Sequence, residues 1–289
     1  LENAFWANIY MGNINRSLKI ISEVELLSDE HDQKFLYPTI VELIRRNELS
    51  SAVEISNLLG LEKHNVFTKN MLQTWDYVFK NQKSNAITKL QNYINSTEKN
   101  SDLYFFLKVQ NLMIYAYFDE YSETIEAFEE LQKHVKIIPS RYYINIAKII
   151  YDKIDEKKAK SFLIQNLPEN LDLDLALENL PKKDIFDPLK LLTNVFFECG
   201  YIIAKSEGFL KSIPQFWFSL HLDENNQSAR LILSSFFSEA DQDDIALEIL
   251  KNNKNKNPSW IISEFEISHI QEKKGNIDLA ISIIEKISK

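Results

Sequence analysis

The sequence contains little cysteine, glycine or proline. Its 289 residues include one cysteine, 5 glycines and 7 prolines. The single cysteine, Cys199, excludes an internal disulfide and leaves the redox compartment open. Scarce glycine and proline argue against a turn-rich all-β protein. Runs of 18 apolar residues are also missing, so the sequence predicts no membrane-spanning helix.

Basic residues are outnumbered by acidic ones. The chain carries 33 lysines and arginines against 42 aspartates and glutamates, for a net charge of −9. Recognition of a nucleic-acid backbone requires a basic face, so nucleic acid is not an expected partner. With 45% hydrophobic residues the chain can bury a large core, and we expect a soluble protein. The chain begins at Leu1 and ends inside a helical pattern, so we expect a fragment or a processed chain.

Motifs for catalysis and for metal binding are missing as well. The five histidines do not pair at metal-ligand spacing, and neither an HExxH motif nor a glycine-rich phosphate loop occurs. Acidic runs such as Asp241 to Asp244 are typical of solvated faces and helix N-termini. Cys199 stands where the repeat described below requires a small buried residue, which favours packing over a reactive thiol. The sequence therefore predicts neither an enzyme nor a metal or cofactor site.

A repeat of about 34 residues organises the chain. The stretch from Lys274 to Ile287, KGNIDLAISIIEKI, holds a turn glycine, then a small residue, then an apolar residue four positions further on. The small residue serves as a marker, and it recurs at Ser17, Ala52, Ala86, Thr124, Ala159, Ser212, Ala246 and Ala280. The steps between markers are 35, 34, 38, 35, 53, 34 and 34 residues. A period near 34 is that of a helix–turn–helix repeat.

The repeated positions have physical reasons. A small residue is needed where the two helices of a pair approach closely, and apolar residues four and seven positions later continue one helix face. The turn between the helices favours residues that tolerate a left-handed backbone. One pair cannot bury its own apolar faces, so neighbouring pairs must stack. We expect the turns at Gly12, Asn47, Asn81, Asp119 and Gly275.

The repeat resembles the tetratricopeptide repeat (TPR). The match is best in the last three units, through Cys199-Gly200 with Tyr201, Ala246 with Leu250 ahead of Asn257-Pro258, and Gly275 with Ala280. The resemblance implies an all-α, right-handed superhelical solenoid of about eight helix pairs, whose concave groove is lined by the first helix of each pair. More loosely, the order of units is similar to long TPR proteins of alphaproteobacteria, which implies a bacterial protein of the cytoplasm or periplasm.

Prolines interrupt the array after the fifth unit. We predict units one to five over residues 1–167, an insertion over 168–188 with Pro168, Pro181 and Pro188, and units six to eight over 189–289. The middle of the insertion, LDLDLALENL, admits a short helix although its leucines alternate. Pro214 falls in the expected second helix of unit six. We expect it in the first turn, or else a late start of that helix, because an interior proline costs about 3 kcal/mol.

The predicted groove is rich in aromatic and apolar residues, which are typical of protein-contact surfaces. We predict a non-enzymatic interaction scaffold that binds a protein or peptide there, with the oligomeric state left open. The alternative function is an accessory domain of a larger enzyme or cell-envelope assembly. The alternative for the residues themselves is burial between repeats. The candidate partner-binding residues are Trp6, Tyr37, Trp75, Met113, Lys148, Phe197 and Tyr201.

Overall fold

The computed structural model describes residues 2–25, 35–99, 101–134, 140–168, 171–178, 180, 188–251 and 260–287. Over these ranges the chain forms seventeen α-helices and one short 3₁₀ helix, and it forms no strand. The prediction of an all-α protein is therefore confirmed for this part of the chain.

The helices follow one another with short connections. Their bounds are α1 (Glu2–Tyr10), α2 (Ile14–Glu25), α3 (Leu36–Arg45), α4 (Leu49–Ser56), α5 (Lys63–Phe79), α6 (Lys83–Asn95), α7 (Asp102–Tyr117), α8 (Tyr121–His134), α9 (Ser140–Lys153), α10 (Glu156–Asn166), α11 (Leu173–Glu178), α12 (Leu192–Glu207), α13 (Phe209–Leu222), α14 (Gln227–Glu239), α15 (Asp243–Lys251), α16 (Trp260–Lys273) and α17 (Ile277–Ile287). The 3₁₀ helix, Pro188–Leu191, leads into α12. Apart from α11, the helices pack as consecutive pairs, from α1 with α2 to α16 with α17.

The markers and the turn residues behave as the repeat predicts. All eight markers are buried, from Ser17 in α2 to Ala280 in α17. Positive φ angles occur at the five expected turn residues, among them Asn47 at 64° and Gly275 at 79°. Asp241, which was not among the predicted turns, has a φ of 57° and makes the same turn in unit seven. All pairs but the fifth thus have a residue of positive φ at the turn before the second helix.

A larger side chain at a marker should separate its helix pair. Ala246 is fully buried in α15, which contacts both α14 and α16. We expect Ala246→Leu to lower the free energy of unfolding by about 1–3 kcal/mol through overpacking, measured by urea denaturation. The same substitution at exposed Ala240, at the end of α14, is the matched control. Equal stability of the two variants would contradict the assigned register.

The position of Pro214 differs from the prediction. It is the sixth residue of α13, well past the first turn, so the expectation of a late helix start is wrong. Proline has no N–H to donate to the carbonyl of Leu210, four residues earlier. Leu210 is exposed, which leaves that carbonyl near solvent and lowers the cost of the missing bond.

The insertion is described in part. Its middle forms the short helix α11, as predicted, and α11 contacts α10. The indole N–H of Trp260 donates to Asp172 Oδ2 at 3.0 Å, which ties the start of α16 to the insertion. Pro181 lies outside the described residues, so the predicted break in stacking stays a prediction.

Unit six does not simply extend the row of pairs. Helix α12 contacts α5 and α7, while α13 contacts α1, α2 and α3. Four of these five helices are the first helices of units one to four. Trp217 on α13 donates its indole N–H to the carbonyl of Tyr10 at 3.0 Å. An ideal Cβ on Gly12 would lie 2.7 Å from the Trp217 ring, so only glycine fits this left-handed turn. The hairpin α12–α13 therefore lies along the side that the first helices form.

Candidate functional site

Of the predicted groove residues, Phe197 and Tyr201 belong to α12, and Tyr37 and Met113 contact Cys199 and Asn194 on that helix. Trp75 and Met113 are fully buried, and Phe197 is buried on α12 itself. The other four, Trp6, Tyr37, Lys148 and Tyr201, are partly buried. None of the seven is an exposed side chain in this conformation. The surface where we predicted partner binding is thus largely occupied by the chain's own hairpin.

A polar network joins α12 to three first helices. The indole N–H of Trp75 on α5 donates to Gln110 Oε1 on α7 at 2.8 Å. Gln110 Nε2 in turn donates to Glu198 Oε2 at 2.8 Å, and the hydroxyl of Tyr142 on α9 donates to Glu198 Oε1 at 2.5 Å. Glu198 is fully buried, and this desolvation raises its pKa to about 7. One carboxyl group therefore connects α7, α9 and α12.

Arg141 completes the network beside Glu198. Its guanidinium lies 3.5 Å from the centre of the Phe197 ring and 4.0 Å from that of Tyr142, and it donates to the Tyr142 hydroxyl. Arg141 Nε also donates to Asn194 Oδ1 at 3.3 Å. Burial lowers the pKa of Arg141, while the nearby Glu198 charge raises it. Phe197 thus makes a cation–π contact with Arg141 inside the protein.

A second cluster surrounds Tyr37. Its hydroxyl donates to Asn65 Oδ1 at 2.8 Å and lies 3.6 Å from the sulfur of Cys199 on α12. Burial raises the pKa of Tyr37 well above its ordinary value and raises that of Cys199 to about 11. A thiol with so high a pKa is a poor nucleophile at neutral pH. Cys199 therefore packs between helices, as its place in the repeat predicted.

Two histidines meet carboxylates where the hairpin touches units two and three. His64 Nδ1 on α5 lies 3.1 Å from Glu207 Oε1 at the end of α12. His221 Nε2 on α13 lies 4.0 Å from Glu42 Oε2 on α3. Burial lowers the pKa of both histidines, and the arginines beside Glu42 lower its pKa to about 2. His64 and Glu207 thus join α5 to the end of α12, whereas His221 Nε2 makes no hydrogen bond among the described residues.

The remaining predicted residues make contacts within the chain. The Tyr201 ring meets Phe106 on α7 edge to face, with centroids 5.4 Å apart. Trp6 meets Phe5 edge to face at 4.9 Å. Burial lowers the pKa of Lys148, and the charge of Asp223 raises it. Together with the burial of Trp75, Met113 and Phe197, the contact between Tyr201 and Phe106 favours burial between repeats, the alternative to partner binding, for these four residues.

The sequence carries one signal for the polar network, which lies outside the repeat pattern. Glu198 is the only charged residue between Leu191 and Ala204, in the otherwise apolar run LLTNVFFECGYIIA. A lone carboxylate on an apolar helix is buried only with hydrogen-bond donors around it. Which residues supply those donors could not be predicted, because Gln110 and Tyr142 lie 88 and 56 positions away.

An uncovered apolar face exists at the other end of the chain. The residue four positions after the marker is at most 2% exposed in units two to seven, where it is Ser56, Leu90, Phe128, Leu163, Phe216 and Leu250. In unit eight the same position is Ile284, and it is 38% exposed. Ile281 is 52% exposed, while its counterpart Leu247 in unit seven is 5% exposed. Ile277, Ile281 and Ile284 form one stripe of α17, named the end face below.

The described residues offer little for other chemistry. Within these ranges no group of three His, Cys, Asp or Glu side chains is arranged to hold a metal ion. No helix in the same part of the chain is long and apolar enough to cross a membrane. Comparison of the sequence with protein-family models and with curated proteins finds no match.

Proposed function

We propose that the protein is a non-enzymatic, TPR-like interaction scaffold, a right-handed array of helix pairs that binds a helical segment of a partner protein. The period near 34 residues, the buried markers and the left-handed turns support the comparison with TPR units. Arrays of this kind bind through surfaces that several units present together.

The partner docks on the end face rather than in the concave groove. The observation that carries this proposal is the change in exposure at one repeat position, from at most 2% in six units to 38% at Ile284. In unit seven the equivalent face of α15 is covered by α16, the first helix of the next unit. An exposed apolar stripe of this kind commonly marks a protein contact. The occupant it fits is another α-helix with an apolar face.

The concave side is a poorer candidate because the hairpin α12–α13 already fills it. Access to Trp75 or Met113 would require removal of α12 together with its bonds to α7 and α9. Large apolar side chains such as Phe196 and Phe218 would then lose their packing. Burial of each such side chain stabilises the folded protein by about 1.5–3 kcal/mol, so the arrangement in which the hairpin covers the groove is strongly favoured.

The test compares the wild type with the double variant Ile281→Asp/Ile284→Asp. Immobilised protein is incubated with extract of the source cells, and captured proteins are cross-linked through lysines and identified by mass spectrometry. We expect a specific protein whose cross-links map to Lys286 and Lys274, and we expect about a tenfold loss of its capture by the double variant.

The matched control is Ile164→Asp, because Ile164 is an isolated, exposed apolar residue on α10. This variant should capture the same protein, in the same amount, as the wild type does. Ile164→Asp should melt as the wild type does, since substitutions at exposed positions usually change stability by less than about 0.5 kcal/mol. Circular dichroism checks that the double variant, whose Ile284 is 38% exposed, stays folded. Equal capture by the double variant, or cross-links confined to units one to five, would contradict docking at the end face.

A further inference from the structure

A cavity of about 290 Å³ opens at the surface between units three and four. The first turn of α5, the end of α6 and the start of α7 enclose it. It shares no lining residue with the hairpin α12–α13 or with the end face. Small-molecule sites have volumes of about 300 Å³ or more, so a ligand that fits this cavity is small.

Two hydroxyl groups at the cavity have already used their hydrogens. Ser96 Oγ and Thr97 Oγ1 both donate to the carbonyl oxygen of Tyr93, at 2.9 Å and 2.8 Å. A hydroxyl has one hydrogen and two lone pairs, so each of these oxygens can only accept a hydrogen bond from a ligand. The carboxylate of Glu98, which also lines the cavity, is an acceptor as well. This side of the cavity therefore suits a group rich in N–H donors, such as an ammonium group.

Tyr93 and Lys63 supply the donors. The hydroxyl of Tyr93 makes no hydrogen bond with the residues that the structure describes, and burial raises its pKa to about 12. It is therefore neutral near pH 7, and its hydrogen is available to a ligand. Lys63, in the first turn of α5, is exposed and forms no ion pair within the described ranges. Its ammonium group can donate to a carboxylate.

An apolar wall completes the cavity. Val66 and the buried Leu103 line it beside the ring of Tyr93. An aliphatic group placed against these side chains is removed from water, which favours binding. The cavity thus combines an acceptor side, a cationic donor and an apolar wall.

We propose that this cavity binds a small zwitterion with an apolar side chain, such as a free α-amino acid. Its ammonium group is held by Glu98 and the two hydroxyl oxygens, its carboxylate by Lys63, and its side chain by the apolar wall. A ligand with a single charge fits less well, because it leaves Lys63 or Glu98 unpaired. The cavity and the end face share no residue, so binding here does not depend on the proposed function.

The probes are L-leucine and two analogues that each lack one charge, 3-methylbutan-1-amine and 4-methylpentanoate. Binding to the full chain is followed by NMR, through the amide shifts of isotopically labelled protein. We expect L-leucine to shift amides at the start of α5, the end of α6 and the start of α7 in a saturable way. Each analogue should bind about threefold to fivefold more weakly, the size of one exposed ion pair. Glycine lacks the apolar side chain and should bind about tenfold more weakly.

Conservative variants assign each charge to its partner. Glu98→Gln should weaken L-leucine binding about threefold to fivefold but should not weaken binding of 4-methylpentanoate, which has no ammonium group. Lys63→Gln should weaken L-leucine binding equally but should not weaken binding of 3-methylbutan-1-amine, which has no carboxylate. Tyr93→Phe removes one neutral hydrogen bond and should weaken L-leucine binding about threefold. The matched controls, Glu129→Gln and Lys133→Gln at exposed positions on α8, should bind L-leucine as the wild type does.

Two results would overturn the zwitterion site. One is the absence of saturable shifts with L-leucine, L-phenylalanine and L-methionine alike, or shifts confined to helices other than α5, α6 and α7. The other is equal binding of L-leucine by the wild type, Glu98→Gln and Lys63→Gln, because the two charges would then take no part. Circular dichroism checks that each variant is folded. Since Lys63 and Glu98 are exposed, their variants keep the test decisive even if the partly buried Tyr93 does not tolerate substitution.

Discussion

Replacing Trp75 by alanine is expected to lower the free energy of unfolding by about 3–5 kcal/mol, the usual range for a large buried aromatic residue. The side chain is fully buried on α5 and packs against Phe79 and Tyr117, with ring centroids 5.6 Å and 6.4 Å away. Its loss also leaves Gln110 Oε1 without the indole donor. The measurement is urea denaturation followed by circular dichroism.

Trp75→Phe is the matched control for this experiment. It keeps an aromatic ring in the core but removes the N–H, so we expect a smaller loss of about 1–3 kcal/mol. The result also decides between the two interpretations of this position. If Trp75→Ala keeps wild-type stability and abolishes partner capture, Trp75 belongs to a binding surface and the hairpin does not cover it in solution.

Replacing Glu198 by glutamine should change how stability depends on pH. The folded-state pKa of about 7 exceeds the ordinary value of 4.5, so folding favours the protonated carboxyl group. Its contribution to stability is therefore fully present below about pH 4.5 and is lost as pH rises through 7. The shift corresponds to a loss of about 3 kcal/mol between these limits, because one pKa unit is about 1.4 kcal/mol. Glutamine does not titrate, so the variant should lack this loss. Its free energy of unfolding should therefore increase relative to that of the wild type as pH rises.

The comparison must separate Glu198 from other titrating groups. Burial lowers the pKa of His64 and His221, so their contribution has the opposite sign and is lost as pH falls. Both histidines are present in wild type and variant, so the difference between the two stability curves isolates Glu198. Glu129→Gln, at an exposed position on α8, is the control and should follow the wild-type curve. A constant difference between Glu198→Gln and wild type from pH 4.5 to 8 would contradict the buried-carboxyl account.

The sequence alone determined the elements and the register of each pair. Helix pairing follows from a small residue at a close helix contact and from a turn residue that accepts positive φ, as Ala246 and Asn47 illustrate. These are requirements within a single unit of about 34 residues, so they leave a periodic trace. For the same reason the buried Cys199 was predicted from its place in the repeat, without knowledge of its neighbours.

Only the tertiary structure decided which faces are covered. Trp75 and Met113 have the sequence pattern of a groove lining, yet both are fully buried. Helix α12 is joined to α7 by bonds from Gln110 to Glu198 and from Asn194 to Met113, which span 88 and 81 residues of chain. Ile281 and Ile284 match the buried Leu247 and Leu250 in sequence, yet they are exposed because no helix among the described residues covers them as α16 covers α15. A periodic pattern specifies that a face is apolar. Whether that face lies in the core or meets solvent depends on long-range packing, which leaves no periodic trace in the sequence.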